Sequence, residues 1–479
     1  MRVTKINPRM FVVSFFALYF LVAGVRGALH QSYDFVPVYS GVRCLLRGCN
    51  PYDIPQLDKQ FLQAGGHEEL LQQADGWVNE SPLYPPSTFV ALAPFGLLQF
   101  PAARLAWCLL NGCLFIVAVS LVLSLCPPSH PWLATALGAL FLFNGAAFLK
   151  LGQASAFAAS LLVISVALFL RRRYLLPAAC LLALSLAVKP HIGILIALYL
   201  LTKQHSRRHA ALALAGALAL LLIGGAILDL RPVSAHWLSD LRSSLAISMA
   251  PGHVNDPASP YPWEIHLQAV TSILFTDGKT STAVAYGVFL LLAAAWVVGA
   301  ARHVAGSSAD MVALAAIVVL SMLPVYHRQV DAAILLLTIP SLLIITEHRP
   351  ALGAAMAGLT LLGSTSIPGF LNGFLTAHAP AVLHFFLGSK VLMFLVLGSA
   401  YDLPTQFQYL LGNKFVFLLI LRQQNLALLL LACLYLTAMF AIAKPEPMYP
   451  EAAAFKSTRL SASSDHPRDS KGTVAPIPL

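Results

Sequence analysis

Apolar residues in this chain come in long unbroken blocks, divided by short basic connections and two longer polar loops. Blocks of about twenty apolar residues match the hydrocarbon thickness of a bilayer. In lipid every backbone polar group must find its partner inside the segment, so blocks of this kind fold as helices. Composition agrees: 58% of the side chains are hydrophobic and 10% charged, against roughly 25% charged in soluble proteins. One integral membrane domain therefore replaces the three soluble domains that length alone would allow at roughly 150 residues each. The formal charge is +10, but the basic residues stand in short connections and not beside aromatics on one face. Nucleic-acid binding is excluded on that ground, as are disorder, fibrous repeats and a disulfide-rich scaffold.

The expected fold is an all-α polytopic bundle of about twelve or thirteen membrane helices. Spans are expected at about 10–29, 103–125, 131–149, 154–170, 209–228, 283–301, 309–325, 330–346, 350–366, 380–400 and 415–443. Between Tyr174 and Thr202, Lys189-Pro190 divides the apolar run into two short helices, and 84–98 reads as a re-entrant or interfacial piece. A basic flank of Arg2, Lys5 and Arg9 precedes the first block. A cleaved signal is one reading of it; the length of the block, with Arg26 near its far end, favours an uncleaved first helix. Residues 1–443 are expected to form the membrane domain, and 444–479 a polar, disordered tail.

Short basic loops stay in the cytoplasm. Arg171-Arg172-Arg173 and the stretch from Lys203 to His209 are such loops, whereas the loops at about 30–84 and 229–282 are net acidic and are expected to face outward. Cys108, Cys113, Cys126, Cys180 and Cys433 lie in or beside spans, where cysteine acts as a small hydrophobe. Cys44 and Cys49 share the first outward loop and are either bridged or both free.

Several catalytic motifs fail. His67-Glu68-Glu69-Leu70-Leu71 lacks a second zinc-binding His, and neither a phosphate-binding Gly-rich loop nor a Gly-x-Ser-x-Gly elbow is present. His205 and His209 have metal-ligand spacing, but two arginines stand between them. Ionisable residues where outward loops meet the membrane are more informative, because such groups are costly in lipid. Asp34 follows the first span among aromatic and apolar neighbours, poised as a base toward a hydroxyl unless it is an exposed loop acid or a helix cap. Lys150, Lys189, His191, His327 and Arg328 are all expected on the same face, with Asp331 close by. Cations gathered at that boundary suit the phosphate of a lipid whose tail stays in the bilayer; the alternative is ordinary snorkelling.

An Asp after the first helix, then Leu46-Arg47-Gly48-Cys49-Asn50-Pro51-Tyr52-Asp53, Tyr84-Pro85-Pro86, Leu151-Gly152-Gln153 and Lys189-Pro190, in this order, resembles glycosyltransferase family 87. Its members include bacterial polyprenyl-phosphate-mannose-dependent α-mannosyltransferases of the GT-C superfamily, and the resemblance covers about residues 10–350. It implies a GT-C-like bundle in the cell membrane with its site facing the periplasm or exterior. The implied reaction needs no metal or other cofactor: a sugar, mannose by resemblance, passes with inversion from a polyprenyl-phosphate donor to a hydroxyl of a glycolipid or glycan acceptor. Asp34 matches the family's base, and His327 a His at an outward turn, here followed by Arg328-Gln329-Val330-Asp331. Asp53 would be structural or face the acceptor, and the same role falls to Tyr84, Gln153 and Asp331. The rival reading is a transporter or flippase of a lipid-linked or small anionic substrate. Transporters often carry internal helix repeats, and none is visible here. Asn79-Glu80-Ser81 is too short a signal to identify a host.

Overall fold

Seven helices among the described residues are long and apolar enough to cross a membrane, and five shorter apolar helices accompany them. The computed structural model describes residues 8–75, 82–250, 256, 264–275, 277–301, 308–365 and 422–441. The expected span at 380–400, the start of the one at 415–443, the tail and Asn79-Glu80-Ser81 lie outside them.

The first candidate crossing, α1 (Pro8–Ala28), is followed by α2 (Phe35–Arg47), α3 (Ile54–Gln63) and α4 (Glu68–Asp75). Two short helices, α5 (Pro86–Ala91) and α6 (Ala93–Gly96), take the place of the expected re-entrant piece. Then come α7 (Phe100–Leu123), α8 (Pro131–Leu151), α9 (Ala154–Leu170), α10 (Leu175–Val188), α11 (Pro190–Thr202) and α12 (Arg207–Asp229). The second large loop carries α13 (Trp237–Ser248), β1 (Glu264–Ile265) and α14 (Leu267–Leu274). Next follow α15 (Gly278–Ala300), α16 (Ser308–Ser321) and β2 (His327–Arg328). A 3-10 segment, Gln329–Thr338, leads into α17 (Ile339–His348), followed by α18 (Pro350–Ser364) and α19 (Gln423–Ala441). The span expected as one helix over 330–346 is thus half 3-10 and half α, and Pro340, which has no amide donor, stands at the junction.

Nearly all of α9, α16 and the 3-10 segment is buried, whereas few residues of α1, α12 and α15 are. In α9 the run Ala154-Ser155-Ala156 and Ala158-Ala159-Ser160 lets neighbouring backbones approach, the usual device where lipid gives no hydrophobic drive to helix pairing. Ser185 Oγ donates to the Ala158 carbonyl and Ser165 Oγ to that of Ala178, both at 2.7 Å, locking α10 to α9.

Chain direction sorts the polar groups between the two ends of the bundle. Asp34, Gln153, Lys189 and His327 come together at the end where α9 begins, and α9 runs from there to Arg171 at the other. At that other end Lys203 pairs with Asp310, which also accepts from the Tyr199 hydroxyl. Both large loops share the Asp34 end. Asn50 Nδ2 donates to Asp240 Oδ2 at 2.8 Å, Trp237 stacks on Tyr52 and Arg231 donates to the Leu45 carbonyl. Cys44 and Cys49 form a disulfide just before this junction.

Candidate active site

Two turns build the site. At the first, α1 gives way to α2 and Asp34 takes the N-cap position of α2, yet its side chain makes no cap bond. This is unusual, since an N-cap Asp ordinarily accepts from an amide of the first turn. Asp53 and Asp277 do so, accepting from the amides of Gln56 and Thr280. The Asp34 carboxylate instead accepts from Gln153 Nε2 and faces Arg328, whose Nη1 is 3.7 Å from Oδ1.

The second turn, Leu151-Gly152-Gln153, supplies that Gln. Gly152 has φ +72, and a Cβ there would lie 2.8 Å from Phe35 Cβ, so only glycine lets α8 turn into α9 this close to α2. The amide of Asp34 donates to the Leu151 carbonyl (3.1 Å), and Trp107 Nε1 donates to that of Gly152 (2.9 Å). Phe35 stacks on Trp107 with centroids 5.1 Å apart, inside a nest that includes Phe95 and Phe100. Aromatic packing thus fixes the residue beside Asp34, and the carboxylate is held by construction.

Beside it lies a buried charge network. At the break between α10 and α11, Lys189 Nζ donates to Ser155 Oγ (2.6 Å) and to both oxygens of Asp331 (2.7 and 3.0 Å). Asp331 also accepts from the Arg328 amide at 2.9 Å. His327, fully buried, places Nε2 3.0 Å from the Ser321 carbonyl, so that nitrogen carries a proton. Its Nδ1 is 3.4 Å from Asp331 Oδ2 without a hydrogen bond. The His191 ring lies 4.9 Å away with a buried, unpartnered Nε2.

His191, His327 and Asp331 offer donor atoms within 4.8 Å of one another. Lys189 and the Arg328 amide already occupy the carboxylate, so a metal ion would have to displace them. Arg328 is the most open of these groups, with a 36% exposed side chain and Nε bonded to the Tyr326 hydroxyl at 2.6 Å. An antiparallel bridge pairs Glu264 with Arg328 and Ile265 with His327, anchoring this strand to the second loop.

Burial pushes the Asp34 carboxyl above its ordinary value, while Arg328, Gln153 and Lys189 pull it back. Burial likewise raises the Tyr84 hydroxyl, and Asp34 adds to the effect. The Tyr326 hydroxyl is pushed up to about 12 by burial despite Arg328.

Most of the expected residues therefore meet: Asp34, Gln153, Lys189, His191, His327, Arg328 and Asp331, with Tyr84 near enough to feel Asp34. Lys150 does not join them. Its exposed side chain lies along α1, beside Arg26 and His30, because α8 has one more residue before its turn and a helical side chain leans away from that turn. Asp53 caps α3. Lys189, expected to meet the donor phosphate, is paired with Asp331. Ser155 and Tyr326 join the site from outside the expected set; Ser155 lies two residues past Gln153, and Tyr326 directly precedes His327. Glu264 and His266 were missed because only tertiary pairing brings their loop here.

The family model of glycosyltransferase family 87 matches the chain over residues 83–323. No curated protein and no solved structure matches.

Proposed function

The chain belongs to glycosyltransferase family 87, and from that premise we propose that this multi-pass membrane glycosyltransferase moves mannose from a polyprenyl-phosphate donor to an acceptor hydroxyl at the outer face. The observation that carries the reading is the convergence of an uncapped, Gln-held carboxylate with Arg328 and the Lys189–Asp331–His327 network at one end of the bundle. In the proposed step the acceptor oxygen attacks the anomeric carbon while Asp34 takes its proton. The bond from that carbon to the phosphate oxygen breaks on the opposite side, and the lipid phosphate leaves with the electron pair. One displacement inverts the configuration, whereas retention through a covalent intermediate would need a carboxylate nucleophile as well.

Arg328 would meet the charge building on the departing phosphate, with Lys189, His191 and His327 behind it. Asp331 keeps that group oriented and partly neutralised, and Tyr84 would line the acceptor side. A glycolipid or glycan supplies the hydroxyl. The sugar phosphate is already activated, so the step as written draws on protein groups alone. Residues 1–443 would form the transferase domain of a cell-membrane protein whose site faces the periplasm or exterior.

Asp34→Asn keeps size and most hydrogen bonding but cannot accept the proton. Transfer from a lipid-phosphate sugar by the purified variant should fall by at least about a hundredfold, with donor binding retained. Near-normal transfer by Asp34→Asn together with an inactive Asp331→Asn would move the base to Asp331. Activity in both would reject a carboxylate base.

A further inference from the structure

At the Asp34 end of α1, two cations and a histidine stand outside the site. Arg26, His30 and Lys150 are exposed and line one lateral groove of about 650 Å³. Among the described residues no carboxylate lines it and none of the three makes an ion pair. Like charges gathered without an anion repel one another, the more so near a low-dielectric membrane. Apart from Gln31, the rest of the groove is mainly apolar: Phe15, Leu18 and Val22 line it and are 56%, 62% and 59% exposed. Gly27 makes room for the Lys150 stem, since a Cβ there would lie 2.6 Å from Lys150 Cγ.

We propose that this groove seats one anionic glycerophospholipid, its phosphate between Arg26 and Lys150 and one acyl chain along Phe15, Leu18 and Val22. Length argues for that occupant. Phe15 lies eleven positions before Arg26, about 16 Å along a helix, and one leaflet is half of the roughly 30 Å hydrocarbon core. The groove is one leaflet deep, so a much longer isoprenoid tail would run past its end. Position gives the lipid a consequence. The carbonyls of Lys150 and Leu151 accept from the amides of Ser32 and Asp34, so a lipid bridging α1 and α8 braces the turn that carries Asp34.

The test is native mass spectrometry of the full-length protein offered phosphatidylglycerol, phosphatidylcholine and polyprenyl monophosphate in turn, with thermal unfolding measured alongside. Phosphatidylglycerol should be retained best and should raise the unfolding temperature. Arg26→Gln should weaken retention about fivefold, and adding Lys150→Gln about twenty-fivefold, since each cation near an anionic headgroup contributes comparably. Val22→Trp should lower retention with all charges in place, whereas Lys279→Gln, which removes an exposed cation outside the groove, should not. Equal retention of the two phospholipids, or an unchanged double variant, overturns the site. Preferential capture of polyprenyl monophosphate overturns the occupant.

Discussion

A carboxylate at the start of a helix ordinarily serves that helix. Asp53 does so, and Asp34, in the same position on the next helix upstream, does not. Its partners come from Gln153 and Arg328, far away in sequence, and this separates a candidate base from a structural cap. Because burial holds the Asp34 carboxyl above its ordinary value, the basic form is lost on acidification at a higher pH than for an exposed Asp. The rate should therefore fall as pH drops through that raised value and level off above it. Arg328→Gln removes the largest opposing influence and should shift the acid limb of the pH–kcat/KM profile further up; an unmoved limb would mean that another group governs it. Gly152→Ala should be costly for a backbone reason. It strains a positive φ and meets Phe35, so a loss of about 1–3 kcal/mol is expected in reversible unfolding, with transfer impaired as Gln153 shifts.

At the scale of elements, the break between α10 and α11 places Lys189. Pro190 starts α11 and cannot donate, so the carbonyls ending α10 need other partners. Ser87 Oγ donates to the Ala187 carbonyl at 2.6 Å and Thr88 Oγ1 to that of Val188 at 3.0 Å. Ser87 and Thr88, just after the Tyr84-Pro85-Pro86 motif, thus deliver two hydroxyls to the broken helix end, the condition for tolerating such a break in a membrane. Ser87→Ala combined with Thr88→Val should cost about 1–3 kcal/mol for each carbonyl stripped of its donor, measured as a lowered unfolding temperature in detergent. Ser87→Thr, which keeps a hydroxyl, should be milder. Equal stability of the double variant would show that other donors reach the break.

For the whole molecule, both large loops should lie on one side of the membrane and the basic connections on the other. Cysteine labelling checks this once Cys113, Cys180 and Cys433, the exposed thiols, have been replaced. Lys59→Cys should react with an impermeant maleimide in intact cells, and Gln204→Cys only after permeabilisation; the reverse pattern would turn the site toward the cytoplasm. Much of this arrangement is legible in the chain, because lipid leaves the backbone few choices: apolar run lengths give the helices, and Lys189-Pro190 gives the broken pair. The sidedness expected of the loops comes from charge in the same way. Asp34 and Gln153 stand out as polar residues at helix ends. The sequence could not show that Asp34 leaves its own cap unmade, since that depends on Gln153 and Arg328 approaching. Nor could it show that Lys189 is spent on Asp331 or that Glu264 pairs with Arg328, because each joins residues remote in the chain. Lys150 is the sharpest case: three residues from Gln153, it faces α1 instead of Asp34, because one helical turn decides the direction of a side chain and only packing decides which neighbour it meets. Local chemistry and the bilayer determined the elements and their order; long-range contacts, whose partners no local pattern encodes, decided which charges meet.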